Sequence, residues 1–172
     1  MATLTFLGAA QEVTGSCHQL RCESTGTVLL DCGMHQGGDA VDRVRDEQFE
    51  FDPAAIDAVV LSHAHLDHSG LLPKLIHEGF GGPILCTHST LELLDIMLRD
   101  SVGLYMRDLE RQNLRNARRG KPEEPADFTM EDVEQVLRQC ESCAYGESAS
   151  LGEGALVRFH DAGHILGSSI VE

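Results

Sequence analysis

The stretch "VVLSHAHLDHSG", Val59 to Gly70, sets His63, His65, Asp67 and His68 within six positions, directly behind a run of branched apolar residues. The preceding "IDAVVLS" is too short and too β-branched for a helix, so it reads as a buried strand that ends at the cluster. Side chains at i and i+2 of an extended segment face the same way, so His63 and His65 can converge on one cation. Neutral imidazole is a preferred zinc ligand, at about 2.0–2.1 Å. Asp67 and His68 follow in a tighter turn and can aim at a second point nearby. Two cations roughly 3.5–4 Å apart clamp both oxygens of a phosphoryl or acyl transfer and lower the pKa of a bridging water. The bland alternative is a strand-to-helix loop with surface histidines, which leaves this density of ligand types to coincidence. Another histidine, His164, stands in "HDAGHILGSSIVE" at the end of the chain.

The totals bound what such a cluster can belong to. With 172 residues and 42% hydrophobic content, the chain can bury one core of ordinary size, and one domain is the default. It has no run of about eighteen apolar residues, so no membrane partner is expected. The N-terminus, "MATLTFLGAAQEV", lacks the basic and long apolar regions of a secretory signal and reads as a first strand. The six cysteines (Cys17, Cys22, Cys32, Cys86, Cys140 and Cys143) are too scattered for a disulfide scaffold, which suits a reduced, cytoplasmic chain. A formal net charge of −15 argues against the whole surface being a nucleic-acid footprint. The charge is uneven, however. Arg99, Arg107, Arg111, Arg115, Arg118, Arg119 and Lys121 are seven of the thirteen basic residues, interrupted only by Asp100, Asp108 and Glu110. That stretch reads first as a solvated helix face and second as a phosphate-facing patch.

Outward from the cluster, the pattern gives strands first and helices later. "TLTFLG", "CHQLRCE" and "TVLLDCG" read as strands, the last two joined by a turn at Thr25-Gly26. A two-residue hairpin there places Cys22 opposite Leu29, so no disulfide with Cys32 is implied. Residues 34–54 look like a long acidic loop or a short helix. "LLPKLIHEG" is a helix with Pro73 in its first turn and Gly79 at its C-terminal cap. "PILCT" is the next strand, with Thr87, Ser89 or Thr90 able to cap the helix "STLELLDIMLRD". A second helical segment covers Leu104 to Arg119, "GKPEEP" breaks it, and Thr129 with Asp132 starts a third through Gln139. Strands followed by strands alternating with helices predict a layered α/β sandwich.

"HAHLDH" has the H-x-H-x-D-H form of the metallo-β-lactamase-fold superfamily. Its flanks, "FLGAAQEVTGSC", "LLDCGMHQG", "VVLSHAHLDHSGLLPKL", "ILCTHST" and "DAGHILGSS", resemble the β-CASP branch, the RNA-processing nucleases related to ribonuclease J and to the endonuclease of mRNA 3′-end cleavage. The resemblance implies an αββα sandwich and two zinc ions in a complete site. By position, His63, His65 and His164 would hold the first ion, while Asp67 and His68 would serve the second. Asp31 in "LLDCG" would support the ligands by hydrogen bonding, and Asp161 is either a similar support or a turn residue. The family's bridging aspartate, its final histidine and its β-CASP insert have no counterpart in the sequence. Residues 1–172 are therefore expected to be the N-terminal part of such a domain, truncated before the insert and holding one zinc.

The function implied is zinc-dependent phosphodiester hydrolysis of RNA, exo- or endonucleolytic, with the isolated chain inactive. RNA is the implied partner, and self-association is left open, as is manganese in place of zinc. Hydrolysis of a small ester or thioester and a non-catalytic RNA-processing subunit are the alternatives. All five ligands due by residue 172 are present, which favours an enzyme. His18, His35, His77, His88 and His160 read as ordinary histidines. Cys140 and Cys143 read as a lone pair at a helix end, with neither the second pair of a zinc ribbon nor a redox context.

Overall fold

The computed structural model describes the chain except residues 24, 25, 38, 39 and 152–154 and the side chains of residues 40 and 43. Strands β1 (Ala2–Phe6), β2 (His18–Cys22) and β3 (Gly26–Leu30) form an antiparallel meander. Strands β4 (Ala58–Val60), β5 (Ile84–Thr87) and β6 (Cys140–Cys143) extend it in parallel, giving six strands in sequence order. Parallel neighbours require crossovers, and these carry every helix among the described residues. Helix α1 (Ala40–Asp46) lies between β3 and β4, α2 (Leu66–Ser69) and α3 (Leu72–His77) between β4 and β5, and α4 (His88–Arg118) and α5 (Met130–Gln139) between β5 and β6. Strands β7 (Ser148–Ser150), β8 (Leu156–Asp161) and β9 (Ser169–Val171) form a second, antiparallel sheet.

Strand alternation sorts the apolar residues into two cores. Leu29, Val59, Leu61 and Ile84 face the helices and pack with Leu72, Leu75, Leu94, Leu98, Val133 and Val136. Val28, Ala58, Val60 and Leu85 face the other way, onto Val157 and Phe159 of β8. Burial on both faces explains why these strands read as continuous apolar runs. The layers are therefore helices, sheet and sheet, three of the four in an αββα sandwich. No helix residue joins the second core among the described residues.

Several expectations about elements change. The two helical segments after Thr87 are one helix of 31 residues, because a buried stripe of Thr90, Leu94, Leu98, Val102, Tyr105 and Leu109 continues at helical spacing through Gly103. Thr87 is its N-cap, accepting from the Thr90 amide. Cys22 pairs with Gly26 and Leu29 with Gln19, since Gly26 belongs to β3 and lengthens the turn, whose Thr25 lies outside the described residues. Cys140 does stand at a helix end, as the C-cap of α5, and it also opens β6, which Cys143 closes; the two pack against opposite cores and so do not converge on one ligand. Residues 34–54 hold α1 and a 3-10 turn at Pro53–Ala55.

Lys74 is the unexpected core residue, 1% exposed on α3. Its Nζ donates to the carbonyls of Val44, at 2.8 Å, and Glu47, which close the C-terminal end of α1. The negative end of a helix is where a cation is welcome. Lys74→Met keeps the apolar stem but leaves two carbonyls without their donor. A loss of about 1–3 kcal/mol is expected, read as a lower urea midpoint at unchanged slope. An unchanged midpoint would mean that desolvating the ammonium cancels what its bonds contribute.

Candidate metal centre

Three loops meet where β4 ends, and backbone hydrogen bonds hold them in register. The chain leaves β3 at Asp31, whose backbone is left-handed (φ 61°), a conformation that aspartate tolerates better than most residues. Asp31 N–H donates to Val60 O at 3.0 Å, which keeps it beside Ser62. Cys32 and Met34 amides then bond to the His68 and Leu66 carbonyls, and the Ser16 amide bonds to that of Asp67 at 2.8 Å. Gly33 permits this approach, since a Cβ there would lie 1.7 Å from Asp67 O. From the second sheet, the Ser169 N–H and hydroxyl both donate to Ser62 O at 2.9 Å. The hydroxyls of Thr87 and Thr90 hold Gly167 O, and Ser168 Oγ accepts from the His164 and Ile165 amides. The loop carrying His164 is thereby fastened to the end of the first sheet.

The result is a triangle of imidazole nitrogens. His63 Nε2 lies 3.2 Å and His164 Nε2 3.3 Å from His65 Nδ1, and the three ligand atoms lie within 4.8 Å of one another. A tetrahedral ion with bonds of about 2.0–2.1 Å sets its ligand nitrogens about 3.3 Å apart. One proton on His65 Nδ1 cannot line up with both neighbours, whereas one cation satisfies all three lone pairs. The donor set fits a divalent metal ion of the zinc type. Burial foremost, then the imidazole of His68, pushes His63 down to about 4, so it is neutral at pH 7 and able to ligate.

Asp31 sets the orientation of the rings. Its carboxylate accepts from the Ser62 amide at 2.7 Å, the Ser62 hydroxyl at 2.8 Å and His68 Nδ1 at 2.7 Å. A carboxylate only accepts, so the Ser62 hydroxyl spends its proton there and receives His63 Nδ1–H, 3.0 Å away. Both imidazoles therefore carry the proton on Nδ1 and present a bare Nε2. His68 Nε2 stands 3.9 Å from Asp67 Oδ2, so this second pair also converges on one region. Partial burial opposes charging of His68, but the hydrogen bond and charge of Asp31, with Asp67, outweigh it and raise its pKa.

The other sequence candidates fall elsewhere. The Asp161 carboxylate accepts from the Gly163 amide at 2.8 Å, as a turn residue does. His35 pairs with Glu12 and Glu47, His77 with Asp132, His88 with Ser142 and His160 with Glu172; His18 stacks edge-on against Phe6. Among the described residues, His63, His65 and His164 are the one group of three that could hold a metal ion. Sequence reasoning assigned no role to Ser62 or Ser169. The signal for Ser62 is its position, immediately before H-x-H on a strand beside an aspartate-terminated one.

Comparison with known proteins agrees with this geometry. A family model described as the metallo-beta-lactamase superfamily matches residues 12–138. Ribonuclease TTHA0252 of Thermus thermophilus is 42% identical over 95% of this chain and 33% of its own length. The RNase J-like protein of Methanocaldococcus jannaschii is 33% identical over 99% of this chain and 33% of its own length. Transcription termination factor FttA of Methanothermobacter thermautotrophicus is 34% identical over 98% and 24% respectively. The chain thus spans a third or less of the length of these relatives. A B3 metallo-beta-lactamase with an active-site glutamic acid superposes with a TM-score of 0.52 at 18% identity, over 96% of this chain and 52% of that one, a likeness of fold alone. With a family model covering most of its residues and the layers and histidine triangle described above, the chain belongs to the metallo-β-lactamase superfamily.

Proposed function

We propose that residues 1–172 form the N-terminal part of a metallo-β-lactamase domain whose parent protein hydrolyses phosphodiester bonds in RNA. The observation that carries this reading is the triangle of His63 Nε2, His65 Nδ1 and His164 Nε2, with its spacing suited to one zinc ion. Relatives named as a ribonuclease and an RNase J-like protein support RNA as the substrate. A bound divalent ion supplies Lewis-acid polarisation of a phosphoryl oxygen and brings the pKa of water toward neutrality. His63, His65 and His164 would hold that ion, and Asp67 with His68 would contribute half of a second site. Asp31 fixes His68 directly and His63 through Ser62, which sets tautomer and ring direction before any ion arrives. Asp67 and His68 lack further partners among the described residues, so the second ion is expected to bind the isolated chain weakly.

Metal analysis of the dialysed chain is expected to find about one zinc per chain, and none in His65→Ala. Two tightly held equivalents would contradict the division into a complete and an incomplete site. Asp31→Asn removes a charge but keeps the shape, and is expected to weaken zinc binding about 10–100-fold while circular dichroism stays native-like. Unchanged affinity would make Asp31 a purely structural residue.

Activity separates the chain from its parent. Labelled single-stranded RNA is expected to survive incubation with the 172-residue chain and to be cut by the parent unless a chelator is present. Positioning of a substrate strand accounts for several kcal/mol of such a barrier, and an incomplete domain forgoes it. Chelator-sensitive cleavage by the chain at the parent's rate would overturn the incompleteness. A parent that leaves RNA intact and hydrolyses a thioester would overturn the substrate.

A further inference from the structure

Acidic residues outnumber basic ones 28 to 13, so an unpaired cation stands out against the surrounding charge. Arg45, Lys74, Arg99, Arg111, Arg138 and Arg158 all make ion pairs. Arg21, Arg107, Arg115, Arg118, Arg119 and Lys121 make none among the described residues, and all of these but Arg21 lie on one short stretch. Arg107, Arg111, Arg115 and Arg118 are exposed and fall at spacings of four, four and three on α4. At 3.6 residues per turn they form one stripe, opposite the buried stripe of Leu98, Val102, Tyr105 and Leu109.

The helix beneath the stripe is braced. The Tyr105 hydroxyl donates to the Asp127 carboxylate and accepts from its amide, and the Asn113 side chain exchanges two hydrogen bonds with the Glu124 backbone. The helix dipole accounts for cations in the last turn, where Arg115 and Arg118 stand, but not for Arg107 and Arg111 further back. Among the described residues, Asp108 is the one carboxylate that engages the stripe, through an exposed pair with Arg111 at 3.1 Å, and such pairs exchange readily.

We propose that the outer face of α4, from Arg107 to Arg118, is a track for the phosphate backbone of single-stranded RNA, separate from the metal centre. The proposal rests on RNA being the substrate of the parent. Guanidinium groups suit phosphate by geometry as well as charge, and a polyanion is the complement that an otherwise acidic chain leaves room for. A membrane-lying helix would instead need a continuous free apolar face; the main apolar stripe of α4 is committed to the core, and its exposed Ile96, Leu104, Met106 and Leu114 are scattered among charged residues. The N-terminal end of α4 adjoins the His164 loop through Thr90 and Gly167, while Arg107 lies about 28 Å and Arg118 about 45 Å along the helix. The track therefore acts on long substrates and is out of reach of a dinucleotide.

The test compares wild-type chain with a stripe variant (Arg107→Gln, Arg111→Gln, Arg115→Gln and Arg118→Gln) and a charge-matched control (Arg21→Gln, Arg45→Gln, Arg138→Gln and Arg158→Gln), all checked for native circular dichroism. Binding of labelled oligouridine is followed by fluorescence anisotropy across a salt titration. The stripe variant is expected to flatten the slope of log Kd against log salt by about 2.8, the value for four single-strand phosphate contacts. The control is expected to leave that slope nearly unchanged. Equal flattening in both variants, no flattening in the stripe variant, or no binding by wild type at low salt each overturns the proposal. Retained oligouridine binding with lost binding to phosphatidylserine vesicles also overturns it and makes the face a membrane contact. In the parent, the same stripe substitutions are expected to raise KM for long RNA and spare a dinucleotide. If wild-type chain binds oligouridine through the stripe but the parent cuts no RNA, the proposed activity falls and the track stands.

Discussion

The carboxylate of Asp31 is the constraint on which the centre depends. It is buried at the end of β3, in a left-handed conformation, and takes the Ser62 amide, the Ser62 hydroxyl and His68 Nδ1–H. Those bonds dictate where the protons sit on two neighbouring imidazoles, His63 and His68, whose ring centroids lie 4.1 Å apart. A buried carboxylate without such donors would be costly, so the network stabilises the carboxylate as much as the carboxylate orders the network. Placing this anion behind the rings also raises their basicity toward a cation.

The triangle of nitrogens is a tertiary product. His63 and His65 come from the end of β4, and His164 from the turn between β8 and β9 on the other sheet. Their meeting depends on Ser169 bonding to Ser62 O and on Thr87 and Thr90 holding Gly167 O. The second core of Val28, Val60, Val157 and Phe159 presses the two sheets together behind these bonds. Packing between sheets and ligand geometry are therefore one problem, and a change at that interface is felt at the nitrogens.

Legibility followed locality. The i, i+2 pair of His63 and His65, the capping at Thr129 and the buried run of β4 are set by neighbours in sequence and are readable there, while the start of α4 is readable only to within Thr87, Ser89 or Thr90. The places of His164 and Asp31 came from resemblance, because nothing local says which strands will meet. Ser62 escaped notice because a serine becomes a relay only when a carboxylate accepts its proton. Lys74 escaped because a lysine reads as surface, and its burial is decided by the carbonyls of α1, thirty residues earlier. The helix runs unbroken between Asp100 and Leu104 because charged and glycine residues on its outer face do not stop a helix whose inner face stays apolar.

The most direct measurement of the central claim is the tautomeric state of the histidines, read from long-range proton–nitrogen correlations of the metal-free chain at mildly alkaline pH. His63 and His68 are expected in the Nδ1–H form, and added zinc is expected to move His63 Nε2, His65 Nδ1 and His164 Nε2 together. His35, His77, His88 and His160 are expected to stay where they are. Finding His63 in the Nε2–H form, or zinc shifting a different set of rings, would contradict the claim that Asp31 and Ser62 ready this site for metal.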